Sequence, residues 1–116
     1  MQLRHIVGTI GMDYKSAVDR FAGNEAMLIK LLKKLPNDAS YNNLVSAMKA
    51  RDTEKIALYS HSIKGLAANF SLESLYRAAS ALNVAAKENS EVDYVALYDA
   101  LRIEYEKVVG AIALLD

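Results

Sequence analysis

The sequence predicts an all-α fold: an antiparallel four-helix bundle, up-down-up-down, with short additional helices on its N-terminal side. Three observations carry this expectation. The 116 residues include one Pro, five Gly and no Trp, with 53% hydrophobic and 24% charged side chains, a globular balance poor in helix breakers. Apolar residues recur at spacings of three and four along most of the chain, and no alternating strand pattern competes with them. The length suits one continuous core, so residues 1–116 are read as a single domain.

After a lead segment ending at Gly11, Asp13 to Phe21 reads as a short helix stopped by Ala22-Gly23-Asn24. Asn24 is placed to cap the next helix, Glu25 to Leu35, whose stripe is Met27, Leu28, Leu31, Leu32 and Leu35. Pro36-Asn37-Asp38 supplies a turn. From Ser40 to Ala50 the positions Leu44, Val45 and Met48 repeat the pattern, and Asp52 or Thr53 starts a central helix. That helix runs through Ile56, Tyr59, Ile63, Leu66, Ala67 and Phe70, after which Ser71 is expected to cap its successor. Leu72, Leu75, Ala79, Leu82 and Ala86 then form the most regular seam in the chain, as a helix within a bundle requires. Asn89-Ser90 interrupts it. Val92, Val95, Leu97, Leu101, Val108, Ile112 and Leu115 mark a last long helix.

Composition excludes several functions. Fourteen basic side chains balance fourteen acidic ones, so no net field draws the chain toward nucleic acid or an anionic membrane. No cysteine is present, which removes disulfides and thiolate metal sites and agrees with a reducing compartment. No apolar run approaches the ~18–20 residues of a membrane span, and the first residues lack a secretion signal. A soluble, cytoplasmic protein is expected.

The central helix carries an anomaly on its outer side. With Ile63 at zero on a wheel of about 100° per residue, Ile56, Tyr59, Leu66, Ala67 and Phe70 fall within roughly 60° of it, whereas His61 lies about 160° away. Leu58, Gly65 and Ala68 share the outward side with His61. Exposed helix positions usually hold Lys, Glu, Gln or Arg, so a histidine, a glycine, an alanine and a leucine there call for a reason. Glycine within a helix costs about 1 kcal/mol relative to alanine. Its benefit here is space, because a missing side chain one turn from His61 clears the approach of another macromolecule. Lys64, three residues after His61, can reach a charge placed on the ring. A neutral imidazole is a competent nucleophile near pH 7, and a phosphoryl group is the charge that this arrangement suits. The chain has neither a phosphate-cradling Gly-rich loop nor a carboxylate cluster for Mg²⁺, so phosphorylation of itself from ATP is not expected.

The segment His61-Ser62-Ile63-Lys64-Gly65-Leu66-Ala67-Ala68-Asn69-Phe70 resembles the signature of the histidine phosphotransfer (HPt) family: His, an apolar residue, Lys and Gly, then Asn with an apolar residue. Asp13, Ala17, Arg20 and Phe21 resemble the family's N-terminal helix, and Asp52 precedes the signature at the usual distance. The resemblance implies that His61 accepts the phosphoryl group on its outer ring nitrogen, that Lys64 steadies it, and that Gly65 admits a receiver domain. It also implies contact positions on the following helix, Asn83 and Lys87. Receiver domains of response regulators or a hybrid sensor kinase are the implied partners, with Mg²⁺ on the receiver and no cofactor bound by this chain, which would work as a monomer. Two positions depart from the family's pattern: Ser71 stands where glycine is common, and Asn83 where an acidic residue is. Kinase dimerisation domains follow their histidine with an acidic residue and a nearby proline, which this segment lacks.

Other readings of the same residues stand beside this one. A helical adaptor using Leu58, Gly65 and Ala68 would bind a partner without phosphoryl chemistry. A metal-binding bundle has a poor ligand set in His5 and His61 alone. Asn69 is expected to act structurally, by bonding backbone near the helix end. The tyrosines, including Tyr59, Tyr76, Tyr94, Tyr98 and Tyr105, read as packing with a polar tip rather than a stacking platform for bases.

Overall fold

The computed structural model describes residues 1–116 as six α-helices: α1 (Tyr14–Arg20), α2 (Glu25–Leu32), α3 (Ser40–Ala50), α4 (Thr53–Asn69), α5 (Glu73–Lys87) and α6 (Tyr94–Ile112). Two short 3₁₀ turns, Leu3–His5 and Leu35–Asn37, complete the elements, and there is no strand beyond a single bridge between Met12 and Leu72. Helices α3 to α6 are joined by short links and pack in succession, α3 on α4, α4 on α5 and α5 on α6, which makes neighbours antiparallel.

Local chemistry explains where the helices start. Asp13, Asn24, Asp52 and Asp93 each turn a side-chain oxygen onto a backbone N–H three residues on, at 3.0–3.1 Å, satisfying a donor that the first helical turn leaves unpaired. Helix α2 ends at Leu32 rather than Leu35, because Pro36 lies in the 3₁₀ turn that follows and cannot continue an α-helix. Helices α3 and α4 are separated by Arg51, whose left-handed backbone (φ 53°) reverses the chain within two residues.

One hydrophobic cluster runs through the bundle. Leu28, Leu32, Leu44, Ile63, Leu75, Leu82, Leu101 and Val108 are fully enclosed in it. Helices α3 and α6 close the bundle through Tyr41, whose ring stacks on Tyr105 with centroids 4.0 Å apart and planes 2° from parallel. The Tyr41 hydroxyl meets that of Tyr98 at 3.2 Å. Burial, and then that hydrogen bond, raises the Tyr41 phenol above its ordinary value and keeps it neutral.

The structure also departs from the sequence-based expectation at Val92 and Val95, in the lead segment and at Ser71. Val92 and Val95 do not join the core, being 46% and 63% exposed; Tyr105 and Ala111 supply the inward face of α6 beside Leu101, Val108 and Ile112. The lead segment, for which the sequence named no core residues, buries Leu3, Ile6 and Ile10 in the same cluster. Ser71 is not a cap of α5. It ends α4 in the left-handed conformation (φ 51°), and its hydroxyl pairs with that of Ser16 at 2.8 Å. A glycine would adopt that conformation without strain, which gives the physical sense of the family's preference at this position.

The N-terminal segment is clasped to the corner between α4 and α5. Asp13 donates its N–H to the Ser71 carbonyl and Glu73 donates its N–H to the Gly11 carbonyl, both at 2.9 Å. Gly11 (φ 61°) is required there, because a Cβ would stand 2.3 Å from Ser74 Oγ.

Arg51 offers a direct test of this backbone reading: its side chain makes no hydrogen bond or ion pair that would offset the strain of its left-handed conformation. Arg51→Gly should stabilise the protein by about 0.5–1 kcal/mol, read as a shift of the urea midpoint without a change in slope.

Candidate functional site

The site is built on α4, which presents opposite faces to two environments. Its inner face is Ile56, Ser60, Ile63 and Ala67, with Phe70 just beyond the helix. Tyr59 and Leu66, expected in that stripe, are only half-buried at its border, and Ser60 occupies the place between Ile56 and Ile63. The outer face carries His61, Leu58, Ser62, Gly65 and Asn69, all exposed, with Ala68 and Lys64 half-exposed beside them.

The His61 imidazole is exposed and makes no hydrogen bond within the protein. Leu58, one turn before it, is 57% exposed. One turn after it, a Cβ built on Gly65 meets nothing within 4 Å, so the approach to the imidazole along that side of the helix is open. Lys64 takes no part in any ion pair of the chain, which leaves its ammonium available to an incoming anion. The expected grouping of His61, Lys64, Gly65, Leu58 and Ala68 on one side of α4 is therefore present.

Two other expected site residues are placed differently. Asn83 does not lie on the surface. It is 2% exposed, and its amide donates to the Ala57 carbonyl at 2.8 Å and to Ser60 Oγ at 3.4 Å. An amide so enclosed is held by those partners and presents nothing to another protein. Asn69 is exposed and makes no hydrogen bond, so it does not bond the backbone near the helix end as expected. It borders a shallow depression with Arg20, Phe21, Leu31 and Phe70. Lys87 is exposed at the last turn of α5, one turn beyond Asn83 and in no ion pair.

Sequence reasoning missed the Ser60–Asn83 pair that links α4 to α5 beneath the histidine. A signal for it exists, since Ser60 falls four residues after Ile56 and three before Ile63, within the apolar stripe. Asn83 likewise falls four residues after Ala79 on the α5 seam. A polar residue at a core position implies a buried partner.

No group of His, Cys, Asp and Glu side chains is arranged to hold a metal ion, and no helix is long and apolar enough to cross a membrane. The model of the Hpt domain family matches residues 27–111, which spans α3 to α5, all but the last residue of α6 and most of α2. The residues that resemble the family's N-terminal helix, Asp13 to Phe21, lie outside that match. No curated protein and no solved structure matches the chain.

Two substitutions separate the roles of these residues. Gly65→Ala should stabilise the fold by about 0.5–1 kcal/mol, because the added methyl meets open space and alanine favours the helix. Asn83→Ala should destabilise it by about 1–3 kcal/mol, since Ser60 and the Ala57 carbonyl lose a buried donor. Chemical denaturation of both variants checks the opposite signs.

Proposed function

Because the chain belongs to the Hpt domain family, a family of phosphocarriers in two-component signalling, we propose that it relays a phosphoryl group between His61 and the aspartate of a receiver domain. The observation that carries this reading is the exposed imidazole with open space over Gly65 and an unpaired Lys64 one turn on. The partners so defined are response-regulator receivers, with or without a hybrid sensor kinase.

The transfer needs little from this chain beyond position and charge. The lone pair of the outer ring nitrogen, Nε2, attacks the phosphorus of the receiver's aspartyl phosphate in line with the bond that breaks. A P–N bond forms as the P–O bond opens, and the carboxylate leaves on the receiver. Nδ1 carries the ring proton, so the phosphorylated imidazole can later leave as a neutral group in the reverse step. Lys64 offsets part of the charge on the phosphoryl oxygens, and a Mg²⁺ held by the receiver offsets the remainder. The chain contributes a nucleophile and access, and in this reading it has no autokinase activity and binds no cofactor. Leu58 and Ala68 provide apolar contact around the imidazole, and in this reading the exposed Lys87 of α5 is a further contact for the receiver.

Incubation with a phosphorylated receiver domain should place an acid-labile, base-stable label on the chain, and His61→Gln should abolish it without changing the helical circular dichroism. Failure of the unmodified protein to take label from any receiver would overturn the relay. Binding of a receiver with affinity indifferent to His61→Gln, and without label, would instead identify a helical adaptor that uses the exposed Leu58 beside the histidine. Gly65→Gln should slow transfer by roughly tenfold or more while the fold stays at least as stable, because the bulk stands where the partner must approach. Stopped-time phosphotransfer assays beside thermal melts measure both effects.

A further inference from the structure

Among the buried side-chain oxygens and nitrogens of the chain, Ser80 Oγ alone has no hydrogen-bond partner. Other serines within the helices behave differently: the hydroxyls of Ser46, Ser60 and Ser62 each donate to a backbone carbonyl of the preceding turn, at 3.2–3.3 Å. A hydroxyl removed from water and left unpaired costs the fold free energy, and alanine at the same place would avoid the cost and favour the helix more. The fold gains nothing visible from Ser80.

Its position is fixed by the contact between α4 and α5. Asn83 reaches Ala57 and Ser60 across the seam. Ser80 lies one turn before Asn83 on α5, and since the two helices run antiparallel it faces the next turn of α4 after Ala57 and Ser60. That turn carries His61 and Lys64. On a wheel of about 100° per residue Ser80 lies roughly 60° further from the core than Asn83, toward the outer lip of the seam. The residue as a whole is half-exposed although its oxygen is covered, so a rotation of one side-chain bond brings the hydroxyl from the seam to its mouth.

We propose that Ser80 is a further phosphoryl-binding residue: its hydroxyl donates a hydrogen bond to a phosphoryl oxygen carried by His61, from the α5 side of the seam, while Lys64 acts from the α4 side. The inference rests on the relay reading above and deepens it. A hydroxyl bound to an anionic oxygen makes a charge-assisted hydrogen bond that is available only while His61 carries the phosphoryl group. Ser80 thereby favours the phosphorylated form of this chain over that of its partner.

The test is the equilibrium distribution of label between this protein and a receiver domain, measured beside thermal stability. Ser80→Ala should move the distribution toward the receiver by roughly tenfold, with a melting temperature unchanged or raised. Ser80→Thr, which keeps the hydroxyl, should recover most of the shift. A labelled wild-type protein whose distribution is unchanged in Ser80→Ala overturns the assignment and leaves the relay standing. A threonine variant as defective as the alanine variant overturns it too, since packing rather than the hydroxyl would then be responsible. A wild-type chain that takes no label from any receiver removes both readings together.

Discussion

The hydrogen bond from the Asn83 amide to the Ala57 carbonyl sets the register of the two helices on which the rest of the site depends. Apolar side chains hold α4 against α5 but tolerate sliding, because a leucine is satisfied by any apolar neighbour of suitable volume. A buried amide is not so tolerant. Displaced by a turn, it would lose both the carbonyl and Ser60 Oγ and remain unpaired away from water. The polar pair therefore fixes which turn of α5 lies opposite His61. The price of that specificity is a polar group in the core.

Much of the fold was legible because its signals are local. Helix starts at Asp13, Asn24 and Asp52 follow from capping chemistry, and the seam from Leu75 to Ala86 follows from the helical repeat. What escaped was set by tertiary contact. Val92 and Val95 are apolar like core residues, yet Val92 precedes α6 and Val95 falls on its exposed side, so both stay in water. Leu3, Ile6 and Ile10 have helical spacing but precede Gly11, and a segment so short gives little periodicity to read. Ser71 has the chemistry of a cap, yet the tight corner between α4 and α5 demands a left-handed residue there, and that demand overrides side-chain preference.

The site was legible for a related reason: an outward helix face needs no apolar or bare residues, so their presence marks a use. His61, Leu58 and Gly65 are exposed as the helical wheel requires. Asn83 was misplaced because family resemblance gives a sequence position, whereas burial depends on the wheel, and Asn83 lies next to the core seam on α5. Ser80 was invisible for the opposite reason. Serine is unremarked in any helix, and only the absence of a partner for its covered oxygen distinguishes it.

The bare flank at Gly65 has a further consequence for the kind of surface that can reach the histidine. A helix face without a wall on that side is convex, and a convex surface cannot envelop a compact ligand or bury most of its area. A folded protein, by contrast, can lay a broad, matching surface over such a ridge.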